Sequence, residues 1–131
     1  MASPKSIPAT PYDARFKHLG NSVFFINFAL MIIYNTTYHV DCDVSGEFLD
    51  WMREHYVPQA VKSSMVKEPR LMRLMGHNEG GACFALQLKA PSLSTLQRWN
   101  QEVGKHLHEQ LTKHFGNKVA GFTTFMENID F

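Results

Sequence analysis

The chain has 131 residues, of which 44% are apolar, and its 13 basic and 12 acidic side chains give a formal net charge of +1. This length suits one domain with one core, and the balanced charge gives no electrostatic case for binding nucleic acid or an anionic membrane. The two cysteines, Cys42 and Cys83, form no CxxC motif and indicate free thiols in a reducing cytoplasm.

The first thirty residues differ in composition from the rest. Residues 1–20 contain three prolines among small polar residues and show no period, which is typical of a disordered tail. The apolar run 23–34 is about half the length of a membrane-spanning helix. This apolar run could be an extra edge strand or a signal peptide, and Asn27, which interrupts the run, counts against the signal peptide. We therefore expect residues 1–30 to be a disordered or peripheral extension and residues 31–131 to form the folded domain.

The segment Met31 to Asp41 is β-branched and aromatic, which predicts a strand. A period of two divides its side chains between two faces. One face carries Ile32, Tyr34, Thr36, Tyr38 and Val40, and the other carries Ile33, Asn35, Thr37 and His39.

A helix is predicted next, with Asp43 or Ser45 as its cap. Its apolar stripe consists of Val44, Phe48, Trp51, Met52 and His55 or Tyr56. Pro58 is expected to end or kink this helix, and a short turn over residues 59–63 should follow.

Residues 66–90 are predicted to form a β-hairpin. Val66 to Met75 and Ala82 to Ala90 are the strands, and the glycine-rich segment 76–81 is the turn. The second strand alternates between an apolar face and a mixed face. We assign Arg73 of the first strand to the mixed face, together with Gln87 and Lys89.

A long helix should begin at a capping box of Ser94 and Gln97, or at Ser92, and end at Gly116 with positive φ. Residues 117–126 are predicted to be the last strand. The order is then β-α-β-β-α-β, which predicts an α+β ferredoxin-like plait, a four-stranded antiparallel sheet with two helices on one face.

The other sheet face remains open in this fold. We expect it to carry apolar side chains that do not stay wet, namely Ile33, Leu71, Met75, Val119 and Phe125. Pairing with a second copy would cover them, so a homodimer through this face is predicted, with a small-molecule ligand as a possible further partner.

Polar residues on the open face are the candidate ligand-binding or interface residues: Asn35, Thr37, His39, Arg73 and Gln87. His39 is also a candidate general base, and Arg73 and Lys89 together could hold a carboxylate. An interface histidine and a solvated Lys89 are the alternative interpretations.

No metal or cofactor is predicted. The long helix carries His106, His108 and His114, but no two are four positions apart as a zinc-binding helix face requires. A strand end followed by a helix cap accounts for Asp41-Cys42-Asp43, and a buried inert thiol accounts for Cys83.

Four segments resemble an uncharacterised family of short bacterial proteins, a domain of unknown function. They are MIIYNTTYHVD, FLDWM followed by Val57-Pro58, GGACFALQLKAP and HFGNKVAGFTTFMENI. The family's fold is similar to the dimeric α/β barrels, which include cofactor-free monooxygenases, haem-degrading enzymes and stress-response proteins. The chain departs from the family pattern where it has Tyr56 and Gln110-Leu111, positions at which the family favours histidine and Glu-His.

Two functions follow as hypotheses. The first is a cytoplasmic, dimeric ligand- or partner-binding module without catalysis. The second, implied by the resemblance, is a cofactor-independent dimeric α/β barrel enzyme, monooxygenase- or isomerase-like, that uses His39, Arg73 and Tyr38 or Tyr56.

Overall fold

The computed structural model describes residues 31–76 and 79–129. The predictions made for residues 1–30 lie outside this range. Four strands and two long helices follow one another in the predicted order. The strands are β1 Ile32–Asp41, β2 Lys67–Arg73, β3 Gly81–Ala90 and β4 Val119–Glu127. Helix α1 consists of three consecutive segments, Ser45–Trp51, Met52–Tyr56 and Val57–Val61. Helix α2 likewise consists of Leu93–Trp99, Asn100–Gly104 and Lys105–Phe115. None of the helices in this part of the chain is long and apolar enough to cross a membrane.

The four strands form one antiparallel sheet in the order β2-β3-β1-β4. β1 and β3 are therefore the central strands, and β2 and β4 are the edges. Both helices pack on the same face, which we call the helix face, and the opposite face is called the open face. The ferredoxin-like plait predicted from the sequence is confirmed.

The core lies between the helices and the central strands. Alternate residues of β1 and β3 point into it, because a period of two places them on one face. The indole Nε1 of Trp99 in α2 donates a hydrogen bond of 2.8 Å to the carbonyl oxygen of Ala60 in α1, so the two helices are joined inside the core. The largest fully buried side chains are Trp99, Phe48, Phe84, Met52, Leu86, Leu88, Leu96, Leu107, Val40 and Val66.

Each helix contains one turn of π-helix. In α1 the N–H of Val57 donates to the carbonyl of Met52, and in α2 the N–H of Lys105 donates to the carbonyl of Asn100. Such a turn holds one residue more than an α-helical turn spans. Pro58 was expected to end or kink α1, and the first of these alternatives is wrong. The helix changes pitch just before the proline, and it continues to Val61.

The caps of α2 are those that the sequence offered. Of the two candidate serines, Ser92 is the cap, since its hydroxyl accepts a 3.1 Å hydrogen bond from the backbone N–H of Thr95. Gly116 ends the helix with a φ of +61°, which glycine adopts without steric cost.

The assignment of β2 residues to faces is wrong by one residue. An irregularity between Lys67 and Arg70 shifts the register, and Glu68 within it has a φ of +54°. Paired residues in an antiparallel sheet share a face. Arg73 pairs with the buried Phe84 and so lies on the helix face, whereas Arg70 pairs with Gln87 on the open face.

The faces of β4 are also the reverse of those expected. Phe125 pairs with Tyr34 and Val119 pairs with Val40, which places both on the helix face. Phe122 pairs with Thr37 and Met126 with Ile33, so these apolar residues lie on the open face instead. Leu71 likewise packs against the core, because its β3 partner is the buried Leu86.

Candidate functional site

The side chains of the open face form rows that cross the sheet. Each row consists of residues that are paired across neighbouring strands. The rows are given in the strand order β2, β3, β1, β4. The first row is Lys67, Lys89, Ile33 and Met126, and the second is Arg70, Gln87, Asn35 and Thr124. The third row is Met72, Ala85, Thr37 and Phe122, and the fourth, which β2 does not reach, is Cys83, His39 and Ala120.

The second row is polar along its whole length. Gln87 Nε2 donates a 3.2 Å hydrogen bond to Asn35 Oδ1, and Asn35 Nδ2 lies 3.4 Å from the hydroxyl oxygens of both Thr37 and Thr124. The first and third strands are the central pair of a plait, which predicts that Asn35, Thr37 and Gln87 are near neighbours, and these hydrogen bonds confirm it. We call these three residues and Thr124 the polar cluster. Its amides hold each other in fixed orientations at the centre of an otherwise mixed surface.

Large apolar side chains surround the polar cluster. Phe122 is 64% exposed, Met72 40% and Met126 37%. An exposed apolar surface of this kind on one face of a small domain is typical of an interaction site.

Two of the candidate residues lie away from the polar cluster. His39 is on the open face, one row beyond Thr37, and is exposed. Arg73 is on the helix face, where its guanidinium lies 4.9 Å from the centre of the Phe84 ring. The proposed catalytic combination of His39 and Arg73 with Tyr38 or Tyr56 is therefore divided between opposite faces of the sheet.

The helix face has a cleft that the sequence did not reveal. It lies between α2 and the strands β1 and β4, and its volume is about 640 Å³. β4 projects beyond the cover of the helices, so its helix-face residues Gly121, Thr123 and Phe125 are exposed to this cleft.

Five residues with hydroxyl groups line the inner side of the cleft, which we call its floor. They are Tyr34, Tyr38, Tyr56, Thr36 and Thr123. The hydroxyls of Thr36 and Thr123 lie 2.9 Å apart. The floor therefore carries groups that can both donate and accept hydrogen bonds.

Burial keeps two of these phenols neutral. Tyr38 is only 4% exposed, and its desolvation, followed by the influence of Tyr34, raises its pKa far above the ordinary value for tyrosine, against hydrogen bonding to Tyr56 and Thr36. Desolvation is also the main cause of the strongly raised pKa of Tyr56, with a further contribution from Tyr38. Neither hydroxyl can serve as a base or nucleophile at neutral pH, but both can donate hydrogen bonds.

Glycine is required at position 121 of β4 by the tyrosine beside it. A Cβ atom there would lie 2.9 Å from Cδ1 of Tyr38, closer than real Cβ contacts. Any side chain at this position would push the Tyr38 ring out of place. Gly121 thus allows the strand to approach the ring closely, and no side chain covers the floor there.

The π-helical turns of both helices meet this cleft. Tyr56 is the last residue of the turn in α1, and Asn100 and Gly104 are the first and last residues of the turn in α2. Such turns are frequent at functional sites. The sequence signal that could have indicated the cleft is the alternation of Tyr34, Thr36 and Tyr38 on a buried strand face, since three hydroxyls in a core need partners.

Metal binding receives no support from the described ranges 31–76 and 79–129. Nowhere in them do three or more histidine, cysteine or acidic side chains come together in a way that could hold an ion. The histidine nearest to the cleft is His108, at its mouth beside Lys105 and Glu109.

Solved structures with similar folds place the chain among the ferredoxin-like proteins. An ethyl tert-butyl ether D (EthD) family protein from Bacillus halodurans C-125 is 13% identical with a TM-score of 0.58, the match covering 75% of this chain and 99% of that one. A dimeric ferredoxin-like protein from an uncultured marine organism is 13% identical with a TM-score of 0.57, covering 77% and 97%. A candidate antibiotic biosynthesis monooxygenase from Caulobacter crescentus CB15 is 17% identical with a TM-score of 0.57, covering 79% and 93%. At these identities the likeness shows the fold alone.

Comparison with curated proteins gives no match. A family model described as "Domain of unknown function (DUF4286)" matches residues 31–129, which includes every strand and helix described above. The chain therefore belongs to this DUF4286 family.

Proposed function

We propose that this protein is a homodimer whose two open faces pack against each other, and that it acts as a binding module without catalysis. The observation that carries the proposal is the exposure of Phe122, Met72 and Met126 around the polar cluster. In a dimer of this kind the same face of both subunits forms the interface.

The shape of the third row supports pairing with a second copy. The edge strands contribute the large side chains Met72 and Phe122, and the central strands contribute the small Ala85 and Thr37. At this row the sheet is thus low along its middle and high at its edges. Two such surfaces can fit together when the large side chains of one copy enter the low centre of the other.

The polar cluster requires partners when the face is buried. Asn35 and Gln87 already bond to each other, but their remaining donors and acceptors would lose water. The same groups of the second copy, trapped water or a small molecule held between the sheets would satisfy them. Asn35, Thr37 and Gln87 are therefore proposed as interface residues, with His39 at the border of the interface.

A structural neighbour supports the dimer. This protein, with a TM-score of 0.57, is described as a dimeric ferredoxin-like protein.

The cysteines bear on the location of the protein. Both cysteines are free, and free thiols are typical of proteins in a reducing compartment, from which we infer a cytoplasmic location.

The enzyme alternative loses the residues on which it depended. It required His39 and Arg73 near Tyr38 or Tyr56, and the register places His39 and Arg73 on opposite faces. The neutral state of Tyr38 and Tyr56 also removes them as bases at physiological pH.

A matched pair of phenylalanines on one strand tests the dimer. Phe122 lies on the open face and Phe125 on the helix face of β4, and both are substantially exposed. We expect wild type to sediment at twice the 15.0 kDa mass of the chain at high micromolar concentration. Phe122→Asp should convert it to a monomer with an unchanged circular dichroism spectrum, because it would bury a carboxylate in an apolar interface.

The control is Phe125→Asp, which should remain dimeric. A monomeric wild type would refute the dimer. A Phe122→Asp variant that stays dimeric would refute the choice of face.

A further inference from the structure

We propose that the cleft between α2 and the strands β1 and β4 binds an uncharged, partly apolar small molecule that presents a carbonyl or hydroxyl oxygen to the hydroxyl groups of its floor. This inference goes beyond the dimer. Every residue involved comes from one protomer, so it does not depend on the pairing of the open faces.

The dimensions of the cleft suit a small organic molecule. Its volume of about 640 Å³ falls within the usual range for ligand pockets, roughly 300–1,000 Å³. The apolar walls are provided by Phe125, Leu111 and Val119. The cleft is open to solvent where Thr123 and Phe125 are exposed, so a ligand could enter it from outside.

The floor selects for an oxygen atom. The phenols of Tyr38 and Tyr56 are neutral and buried, so they can offer O–H donors to an acceptor without any change of charge. The nearby pair of Thr36 and Thr123 can accept a hydrogen bond from a ligand hydroxyl. A ligand atom that cannot form hydrogen bonds would gain nothing from these hydroxyls.

The charges around the cleft argue against an ionic ligand. Two charged residues of opposite sign, Lys105 and Glu109, are among the described residues that line the cleft. Both are exposed on α2 at the mouth of the cleft, together with His108. Their charges offset each other, and none lies at the floor. An ionised ligand would have to lose its hydration against neutral hydroxyls, which is costly.

Four compounds of nearly equal shape test the proposal. Acetophenone presents a carbonyl, α-methylstyrene replaces its oxygen by a methylene group, benzoate is an anion, and benzamidine is a cation. Each is titrated into the isotope-labelled full chain while the amide signals are followed by NMR. We expect acetophenone to shift the signals of Gly104, Gly121 and Thr123, and to bind about 3- to 10-fold more tightly than α-methylstyrene, the range that corresponds to one net hydrogen bond. Benzoate and benzamidine should bind more weakly than acetophenone.

Three variants separate this site from other binding. Tyr56→Phe keeps the ring but removes a hydroxyl, and it should weaken acetophenone about 3- to 10-fold while leaving α-methylstyrene unchanged. Thr112→Trp places a large side chain in the cleft from the exposed surface of α2 and should abolish binding of both compounds. Lys113→Trp, on the same helix but away from the cleft, is the matched control and should bind as wild type.

Three results would overturn the proposal. One is that no cleft amide shifts up to the solubility limit of acetophenone. Another is that α-methylstyrene binds as well as acetophenone, which would leave only an apolar pocket. The third is that benzoate or benzamidine binds best. Sedimentation of the same samples reports the dimer separately, so failure of one proposal can be told from failure of the other.

Discussion

Alkaline pH should destabilise this protein through its two buried tyrosines. The folded-state pKa values of Tyr38 and Tyr56 are raised far above 10, whereas in the unfolded chain both phenols titrate near about 10. Above that pH the unfolded chain releases two protons that the folded protein retains. The stabilisation is therefore fully present below pH about 10 and is lost as pH rises from the unfolded toward the folded pKa values.

The magnitude follows from proton linkage. At pH 11, one unit above the unfolded pKa, each phenol lowers the free energy of unfolding by about 1.4 kcal/mol, so the two together lower it by about 3 kcal/mol. That is a large part of the 5–15 kcal/mol that stabilises a typical domain. Urea unfolding followed by the fluorescence of Trp99 and Trp51 at pH 8 and pH 11 measures this loss.

The control is the double variant Tyr38→Phe, Tyr56→Phe. It retains every other titrating group. Between pH 8 and pH 11 its free energy of unfolding should fall by about 3 kcal/mol less than that of wild type. An equal loss in the two proteins would refute the argument, because the buried phenols would then contribute nothing to the pH dependence. Absorbance of phenolate near 295 nm in the folded wild type offers a second measurement. It should show that Tyr38 and Tyr56 do not ionise while the protein is folded.

Further predictions concern the core and the chain ends. Phe84→Ala should cost about 3–5 kcal/mol, because Phe84 is buried between α1 and the sheet, and a urea-measured loss below about 1 kcal/mol would contradict its place in the core. Trp99→Phe should cost about 1–3 kcal/mol from the unpaired Ala60 carbonyl, and an unchanged unfolding midpoint would argue against that hydrogen bond. Removing residues 1–30 should leave a cooperatively melting domain, as the core described here closes within residues 31–129; a non-cooperative melt would refute this.

The fold was predictable because the central strands alternate clearly. In β1 and β3 one face is apolar and the other is mixed, so a period of two determines both the strand and its orientation. The neighbourhood of Asn35 and Gln87 followed from this alternation together with the plait order. No tertiary information beyond the topology was needed.

The edge strands were not predictable in the same way. Both faces of β2 and of β4 carry large apolar side chains, as Met72 and Leu71 or Phe122 and Phe125 illustrate, so periodicity cannot choose between them. The irregular register at Glu68 reverses the phase of β2 and took Arg73 away from the face assigned to it. The cleft was not predictable either, because it arises where β4 extends beyond the helices, and that extension depends on packing.

The π-helical turns mark where the chain can change in length. Each holds one residue more than a regular turn, and one residue of α-helix corresponds to a rotation of about 100°. Deleting a single exposed residue such as Glu54 should restore regular pitch in α1. Phe48 and Tyr56 would then lie about two α-helical turns apart and would still face the sheet together. The same deletion in a regular part of the helix would rotate one end against the other by about 100° and change which side chains reach the core and the cleft.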